Sequence, residues 1–167
     1  MINKKSIAAI VSNLDKSKFL KYDRNGEERF WMPIFEVPDE GNFLGLNDHG
    51  EWVCGKEEWI RRIDEIDNSF MLLPILGMKR KEFVLNFKEA VVGNGIPETV
   101  MNTFSFDNIL IGGLQSYGDD FNKAVAWLDD GYPVDETIAS ICDGKHPNKI
   151  GAVIRWKEER LKTILSV

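Results

Sequence analysis

Hydrophobic positions recur with a helical period at both ends of the chain and lose that period between residues 30 and 54. At the start, Ile2, Ile7, Ile10, Val11 and Leu14 fall near helical spacing and predict an N-terminal helix. Asp23 to Gly26 reads as a turn. Phe30 to Val37 is dense in aromatic and branched residues between turn signals and predicts a strand, which Pro33 should confine to a sheet edge. Phe43–Leu46 and Glu51–Cys54, joined by Asn47-Asp48-His49-Gly50, complete a small antiparallel element.

From Lys56 the pattern returns to a helical period. Trp59, Ile60, Ile63 and Ile66 share one face, with Glu57 and Glu58 in the first turn, where the helix dipole favours anions, and Arg61 and Arg62 further along. A second helix is expected from Lys79 to Val92, with Phe83, Val84, Phe87 and Val91 inward and Gly93-Asn94-Gly95 as its stop. Pro97 suits the first position of a short helix. Ser105 is placed to cap a helix from Phe106 to about Ser116, with Phe106, Ile109, Leu110 and Leu114 inward. Tyr117-Gly118 breaks it before a helix from Asp119 to Asp130, with Phe121, Ala124, Val125 and Leu128 inward, that Gly131 and Pro133 end. Val134 to Cys142 makes a third, and Pro147 opens a fourth striped by Ile150, Val153, Ile154, Leu161, Ile164 and Leu165. The fold class expected is α+β and predominantly α-helical: a small antiparallel β element near residues 30–54 and a C-terminal helical bundle. One domain, 1–167, is expected, with possible subregions 1–95 and 96–167 divided at the Gly93-Asn94-Gly95 turn.

Composition adds that the chain should be folded throughout. Apolar residues make up 43%, and five Trp with ten Phe exceed what disordered segments carry. Two cysteines far apart in sequence, Cys54 and Cys142, show no disulfide comb, so a reducing compartment is expected. The apolar run Ile7–Val11 is too short for a signal peptide, and Phe70–Leu76, interrupted by Pro74, is far below the roughly 20 residues that span a bilayer. A cytoplasmic protein is the expectation.

Charge changes the picture more. Between Glu98 and Asp143 lie nine carboxylates (Glu98, Asp107, Asp119, Asp120, Asp129, Asp130, Asp135, Glu136, Asp143) and one cation, Lys123. That segment carries −8 against −6 for the whole chain, so the remainder is close to neutral. A helical region with such a field repels anions and attracts a basic partner. Asp119 and Asp120 favour their helix through its dipole, whereas Asp129 and Asp130 oppose it at the other end. Local stability does not account for the second pair, which makes it the better functional candidate. The two pairs lie about 15 Å apart along one helix and cannot share a metal ion.

Trp127 falls about 160° from the direction of Phe121, Val125 and Leu128, on the flank or outside, where it would serve as an interface anchor; the alternative is a core that wraps both faces. Tyr117 and Tyr132 bracket the same helix. The expected partner surface is therefore Tyr117, Asp119, Asp120, Trp127, Asp129, Asp130, Tyr132, Asp135 and Glu136.

Other chemistry is thin. His49 with Cys54 and Cys142 with His146 lack the tight knuckle spacing of a Cys2His2 zinc site, and nothing in the sequence orders a Cys–His nucleophile pair. Gly112-Gly113 and Gly93-Asn94-Gly95 lack the pattern of a phosphate loop and read as packing and turn glycines. No cofactor, metal or catalytic residue is expected. Lys145 to Lys162 hold six cations and two anions, and Trp156 lies among them; complementarity to the acidic block is the plainer reading than nucleic-acid binding.

The run Phe104-Ser-Phe-Asp-Asn-Ile-Leu-Ile-Gly-Gly-Leu-Gln-Ser116, followed by Ala124-Val-Ala-Trp-Leu-Asp-Asp-Gly131 and a basic C-terminal helix, resembles the C-terminal part of small immunity proteins encoded beside contact-dependent growth-inhibition toxins, the CdiI type. The resemblance covers roughly the last 70 residues and is a pattern, with no binding motif to carry over residue by residue. It implies a cytoplasmic bacterial protein that binds the C-terminal toxin domain of a CdiA-type effector, commonly a nuclease, and blocks it without catalysis of its own. A basic nuclease cleft meeting an acidic inhibitor agrees with the charge reading. The alternatives are a carboxylate-dependent hydrolase and a generic protein-interaction or regulatory module.

Overall fold

A computed structural model describes residues 2–64 and 66–142, and they form an α+β fold. Helix α1 (Lys4–Ser12) is capped by Asn3, whose side chain accepts from the Ser6 amide. Five strands follow as an antiparallel meander in sequence order: β1 (Leu20–Arg24), β2 (Glu27–Glu36), β3 (Phe43–Asn47), β4 (Trp52–Lys56) and β5 (Trp59–Arg62). Then come a 3-10 stretch Ile66–Gly77, helix α2 (Arg80–Gly93), a 3-10 turn Glu98–Thr103 and helices α3 (Phe106–Gln115), α4 (Asp119–Asp129) and α5 (Glu136–Cys142).

The β element is thus larger than residues 30–54, and two expectations within it are corrected. β2 is interior rather than an edge, pairing with β1 and β3. Its proline is tolerated because the β1 pairing ends at Leu20–Trp31, so the side of Pro33 that lacks a donor faces no partner strand, and the register slips between Pro33 and Phe35. Second, Lys56–Ile66 is not a helix: Trp59–Arg62 pairs with β4 as Lys56–Trp59, Gly55–Ile60, Cys54–Arg61 and Val53–Arg62. Glu57, with φ of 51°, sits in the tight turn that returns the chain. Trp59, Ile60 and Ile63 satisfy a helical spacing over one turn only, and the turn at Glu57 plus an open sheet edge decides the ambiguity. Trp59 is 68% exposed, not on a buried stripe.

One face of the sheet meets the helices. Met32, Leu44, Leu46 and Cys54 are fully buried there, and Trp52 joins a run of rings with Phe87, Phe104, Phe83, Phe35 and Phe106, successive centroids lying 4.8–6.2 Å apart. Such edge and offset contacts add to the hydrophobic term of each ring. This core extends continuously from Ile7 to Ile138. The other face carries a second, smaller cluster of Tyr22, Trp31 and Val53. Those residues are 1–3% exposed although no helix lies over them in the core grouping, because the sheet curls: its two edge strands, β1 and β5, line one groove of about 380 Å³.

The helical expectations fare better. α2 buries Phe83, Phe87 and Val91 as expected, but Val84 is 36% exposed and faces outward. α4 buries the residues named for it, and α3 buries Ile109, Leu110 and Leu114, while Phe106 is half-buried at its first position. Gly113 is a packing glycine in the strict sense, since a β-carbon there would stand 2.4 Å from a Leu76 methyl and 2.8 Å from Ala124. Ser105 occupies the cap position of α3 without a side-chain capping bond. Among the described residues no helix is long and apolar enough to cross a membrane. The expected fourth helix after Pro147, the basic stretch Lys145–Lys162 with Trp156, and Asp143 and His146 lie outside the described residues.

Candidate functional site

The nine residues expected to form a partner surface are dispersed by the fold into three settings. Tyr132, Asp130 and Trp127 belong to a joint between α4 and the start of α2 that runs from the core to the surface. Trp127 is 2% exposed, its indole N–H donates to the Met78 carbonyl at 3.0 Å, and its ring stacks on Phe83 and Tyr132. It is a core residue, not an anchor: the chain from Met78 into α2 covers the flank that helical phase alone left open. The Tyr132 hydroxyl donates to Asp107 at 2.5 Å, and burial together with that carboxylate pushes the phenol well above its ordinary range. Asp130 lies 3.6 Å from Arg80 and 3.8 Å from Lys81, and Arg80 also donates to the Asp130 carbonyl. The unfavourable dipole at the end of α4 is therefore offset by two cations at the start of α2, so tertiary structure supplies the reason for Asp130 that local structure lacked.

Asp135 has a local role as well. Its side chain accepts from the Ile138 amide at 2.8 Å, which caps α5, while Glu136 is exposed in the first turn. Asp129 is exposed at the last position of α4, and Tyr117 is 56% exposed at the α3–α4 corner. Elsewhere in the acidic block, Glu98 is paired with Lys88 at 2.8 Å. Glu98 and Asp130 thus meet cations from outside the acidic segment, and Asp107 and Asp135 accept hydrogen bonds within the fold.

The third setting is a groove. Asp120, near the N-terminus of α4, faces Asp39 and Glu40 from the β2–β3 loop across a concavity of about 460 Å³. Phe70, Leu73, Pro74, Gly77 and Met78 of the 3-10 stretch and its exit supply the remaining lining. Phe70 is 63% exposed, an aromatic ring held open beside carboxylates. Lys123 lines the same groove and bonds Asp119 at 2.8 Å. The hydrogen bond to Asp119, with the fields of Asp119, Asp120 and Asp39, raises the affinity of its ammonium for the proton. One cation thus serves three or more carboxylates, a local imbalance that favours an incoming positive charge. Asp39 holds φ of 63°, the left-handed region an Asp tolerates better than most residues, and the turn it makes directs the loop toward α4.

Asp119 and Asp120 were legible in the sequence as members of this site, whereas Asp39, Glu40 and Phe70 were not. Pro38 to Gly41 carried only a turn signal, and Phe70 sat in an apolar run weighed only as a membrane span. No linear pattern links loop 37–42 to α4.

Of the residues weighed for metal or nucleophilic chemistry, the side chain of Cys142 and all of His146 lie outside the described residues. Cys54 is buried in β4, and loss of solvent pushes its thiol up to about 12, so it stays protonated. His49 is exposed in the β3–β4 turn. Among the described residues no three of His, Cys, Asp and Glu are grouped to hold a metal. Comparison of the chain with protein-family models, with curated proteins and with solved structures finds no match.

Proposed function

We propose that this protein is a cytoplasmic, non-catalytic immunity protein that neutralises a cationic toxin domain of the nuclease class, and that the groove between the β2–β3 loop and α4 is where the toxin docks. The observation that carries the reading is the convergence of Asp39, Glu40 and Asp120, from elements far apart in sequence, around the exposed ring of Phe70. Carboxylates gather a basic surface quickly and an exposed aromatic in their midst gives it something to pack on, the combination found at interface hot spots. A nuclease presents cations to bind phosphate, so an acidic surface that occupies them competes directly with its substrate. The helix-rich C-terminal half contributes Asp119, Asp120 and Lys123 to this surface, and the β half contributes the facing loop.

The test is co-expression with a basic toxin-like domain drawn from the genes adjacent to this one, followed by measured affinity. Asp39→Lys with Asp120→Lys is expected to weaken the complex at least about thirtyfold, the loss typical of truncated interfacial charge pairs. The association rate is expected to fall at least about tenfold from low to high ionic strength, with dissociation changing less. A stoichiometric complex that ignores both changes would place the interface elsewhere.

A further inference from the structure

A second concavity, of about 350 Å³, lies where α1 crosses the β3–β4 turn and shares no lining residue with the acidic groove. Its walls are apolar: Ile2, Ile7, Trp52 and Ile63 line it, and the last three are 7% exposed or less. Its polar side chains are few: Asn3, Lys4, Glu51, Asp64 and the hydroxyl-bearing Thr103 and Ser105. Apolar walls with a small set of converging polar groups are what small-ligand sites have in common, and the volume of this half-open concavity is within their range.

The polar groups have a definite sense of charge. The Lys4 ammonium lies 3.4 Å from Glu51 and 3.2 Å from Asp64, so two carboxylates share one amine. Arg62 and Arg24 also approach these carboxylates, Arg62 both and Arg24 Glu51, but neither guanidinium is part of the cavity lining. Hydrogen bonds from Asn47 and the cations Arg62 and Lys4 hold the Glu51 carboxyl below its ordinary range against the opposing effect of burial, so it keeps its charge. Lys4 itself is 59% exposed, and an exposed ion pair is readily given up. The amine that fills the cavity mouth is therefore held by little, while the carboxylates that select it are held in place by other elements.

We infer that this cavity binds an organic cation, a primary ammonium on an apolar body, whose charged group takes the position of the Lys4 amine between Glu51 and Asp64 while the body lies against Trp52, Ile7 and Ile63. The Trp52 ring is fixed for such a role, since its indole N–H donates to Thr103 at 3.0 Å. Lys4 acts as a tethered competitor, so removing it strengthens binding.

Phenethylammonium is the probe, with phenethyl alcohol and phenylacetate as its neutral and anionic counterparts, titrated by calorimetry and by indole fluorescence into the full chain. The expected result is binding of the cation alone, tightened about threefold or more in Lys4→Met, the worth of an exposed ion pair. Asp64→Asn should weaken it about tenfold, in line with loss of a hydrogen bond to a charged group. Both variants alter exposed or half-exposed side chains, and circular dichroism with melting temperature establishes that each is folded. In Trp52→Phe the fluorescence response should vanish while calorimetry still detects heat. Failure of the cation to bind folded Lys4→Met, equal binding of the alcohol, an Asp64→Asn affinity equal to that of the parent, or a fluorescence change that survives Trp52→Phe would each overturn the assignment.

Discussion

The curled sheet and the helical half handle charge in opposite ways. In the sheet, ions are knotted together: Glu51 accepts from Asn47 at 3.0 Å and is approached by Lys4, Arg24 and Arg62, so one carboxylate ties α1 and both edge strands to the β3–β4 turn. In the helical half, carboxylates meet one or two cations or cap a helix, as with Asp130 facing Arg80 and Lys81, Glu98 meeting Lys88 or Asp135 capping α5, and Asp120 stands at the groove with Asp39 and Glu40. The contrast separates two meanings of a charged residue. A carboxylate bound by three or four elements is fixed in place, able to hold a small cation where one weak partner gives way, and one left near a single shared cation beside an exposed ring is available to a macromolecular partner.

The sheet's knot depends on close backbone approach, and Gly50→Ala should break it most severely. Gly50 has φ of 73°, and a β-carbon there would stand 2.5 Å from the Lys4 carbonyl oxygen and 2.6 Å from the Ala8 amide nitrogen. Backbone cannot swing aside as a side-chain end can. Left-handed strain plus this clash is expected to cost about 3 kcal/mol or more in denaturant unfolding. Gly93→Ala, at a position with no neighbour within 4 Å and no positive φ, should be neutral or stabilise α2 by up to about 1 kcal/mol. Equal tolerance at both glycines would contradict the packing of α1 on the turn.

Reversing Asp39 and Asp120 sharpens the other half of the contrast. The binding loss given above should come with a fall in unfolding free energy of only about 1–2 kcal/mol, from a left-handed Asp replaced at 39 and a first-turn anion of α4 reversed at 120. A protein that unfolded on this change would show the groove carboxylates to be structural after all.

Glu51→Gln tests the knot electrostatically. The amide keeps the shape and loses the charge that Arg24, Arg62 and Lys4 face, with an expected loss of about 1–2 kcal/mol at neutral pH. The pH dependence has a definite sign. Glu51 and Asp64 are both held below their ordinary values, Glu51 as described and Asp64 by hydrogen bonds from Arg62 and Lys4 against burial. Their stabilisation is therefore fully present above the unfolded carboxylate range near pH 4 and is lost as pH falls through the lower folded values. The parent protein should lose stability steeply on acidification below about pH 4.5, and Glu51→Gln less steeply. Parallel pH profiles would remove Glu51 from the network.

The same two halves differ in how much the sequence disclosed. In the helical half, apolar phase and turn residues were enough to place α2, α3 and α4 to within a residue or two, because a helix declares itself over three or four turns. The strands are four to ten residues long and declare themselves over much less. Trp59 to Arg62 is too short for alternation to outvote an accidental i, i+3 spacing, and β1 was hidden because Leu20, Lys21, Tyr22, Asp23 and Arg24 show one buried position in five. The site was half legible for a related reason. Charge density along the chain found Asp119 and Asp120, but it could not show that Arg80 and Lys81 fold back onto Asp130, nor that Asp39 and Glu40 arrive from the sheet.

Asp130 carries the smallest effect and the most direct test of that lesson. From sequence, a carboxylate at a helix C-terminus is a local liability of about 0.3–1 kcal/mol, so Asp130→Asn should stabilise. From structure, the same carboxylate draws Arg80 and Lys81 from the start of α2, and Arg80 in addition lies over the Tyr132 ring with its centroid 5.9 Å away. Arg80 is 22% exposed, so its pairing is less screened than that of a surface ion pair, while Lys81 at 78% contributes little. The tertiary term should outweigh the dipole, and Asp130→Asn is expected to destabilise by about 0.5 kcal/mol at low salt, the difference shrinking as ionic strength rises. Arg80→Met should remove that difference in a double-mutant cycle, since Asp130 then has only the dipole against it. Stabilisation by Asp130→Asn in the parent background would mean that the helix end, and not the joint with α2, governs this residue.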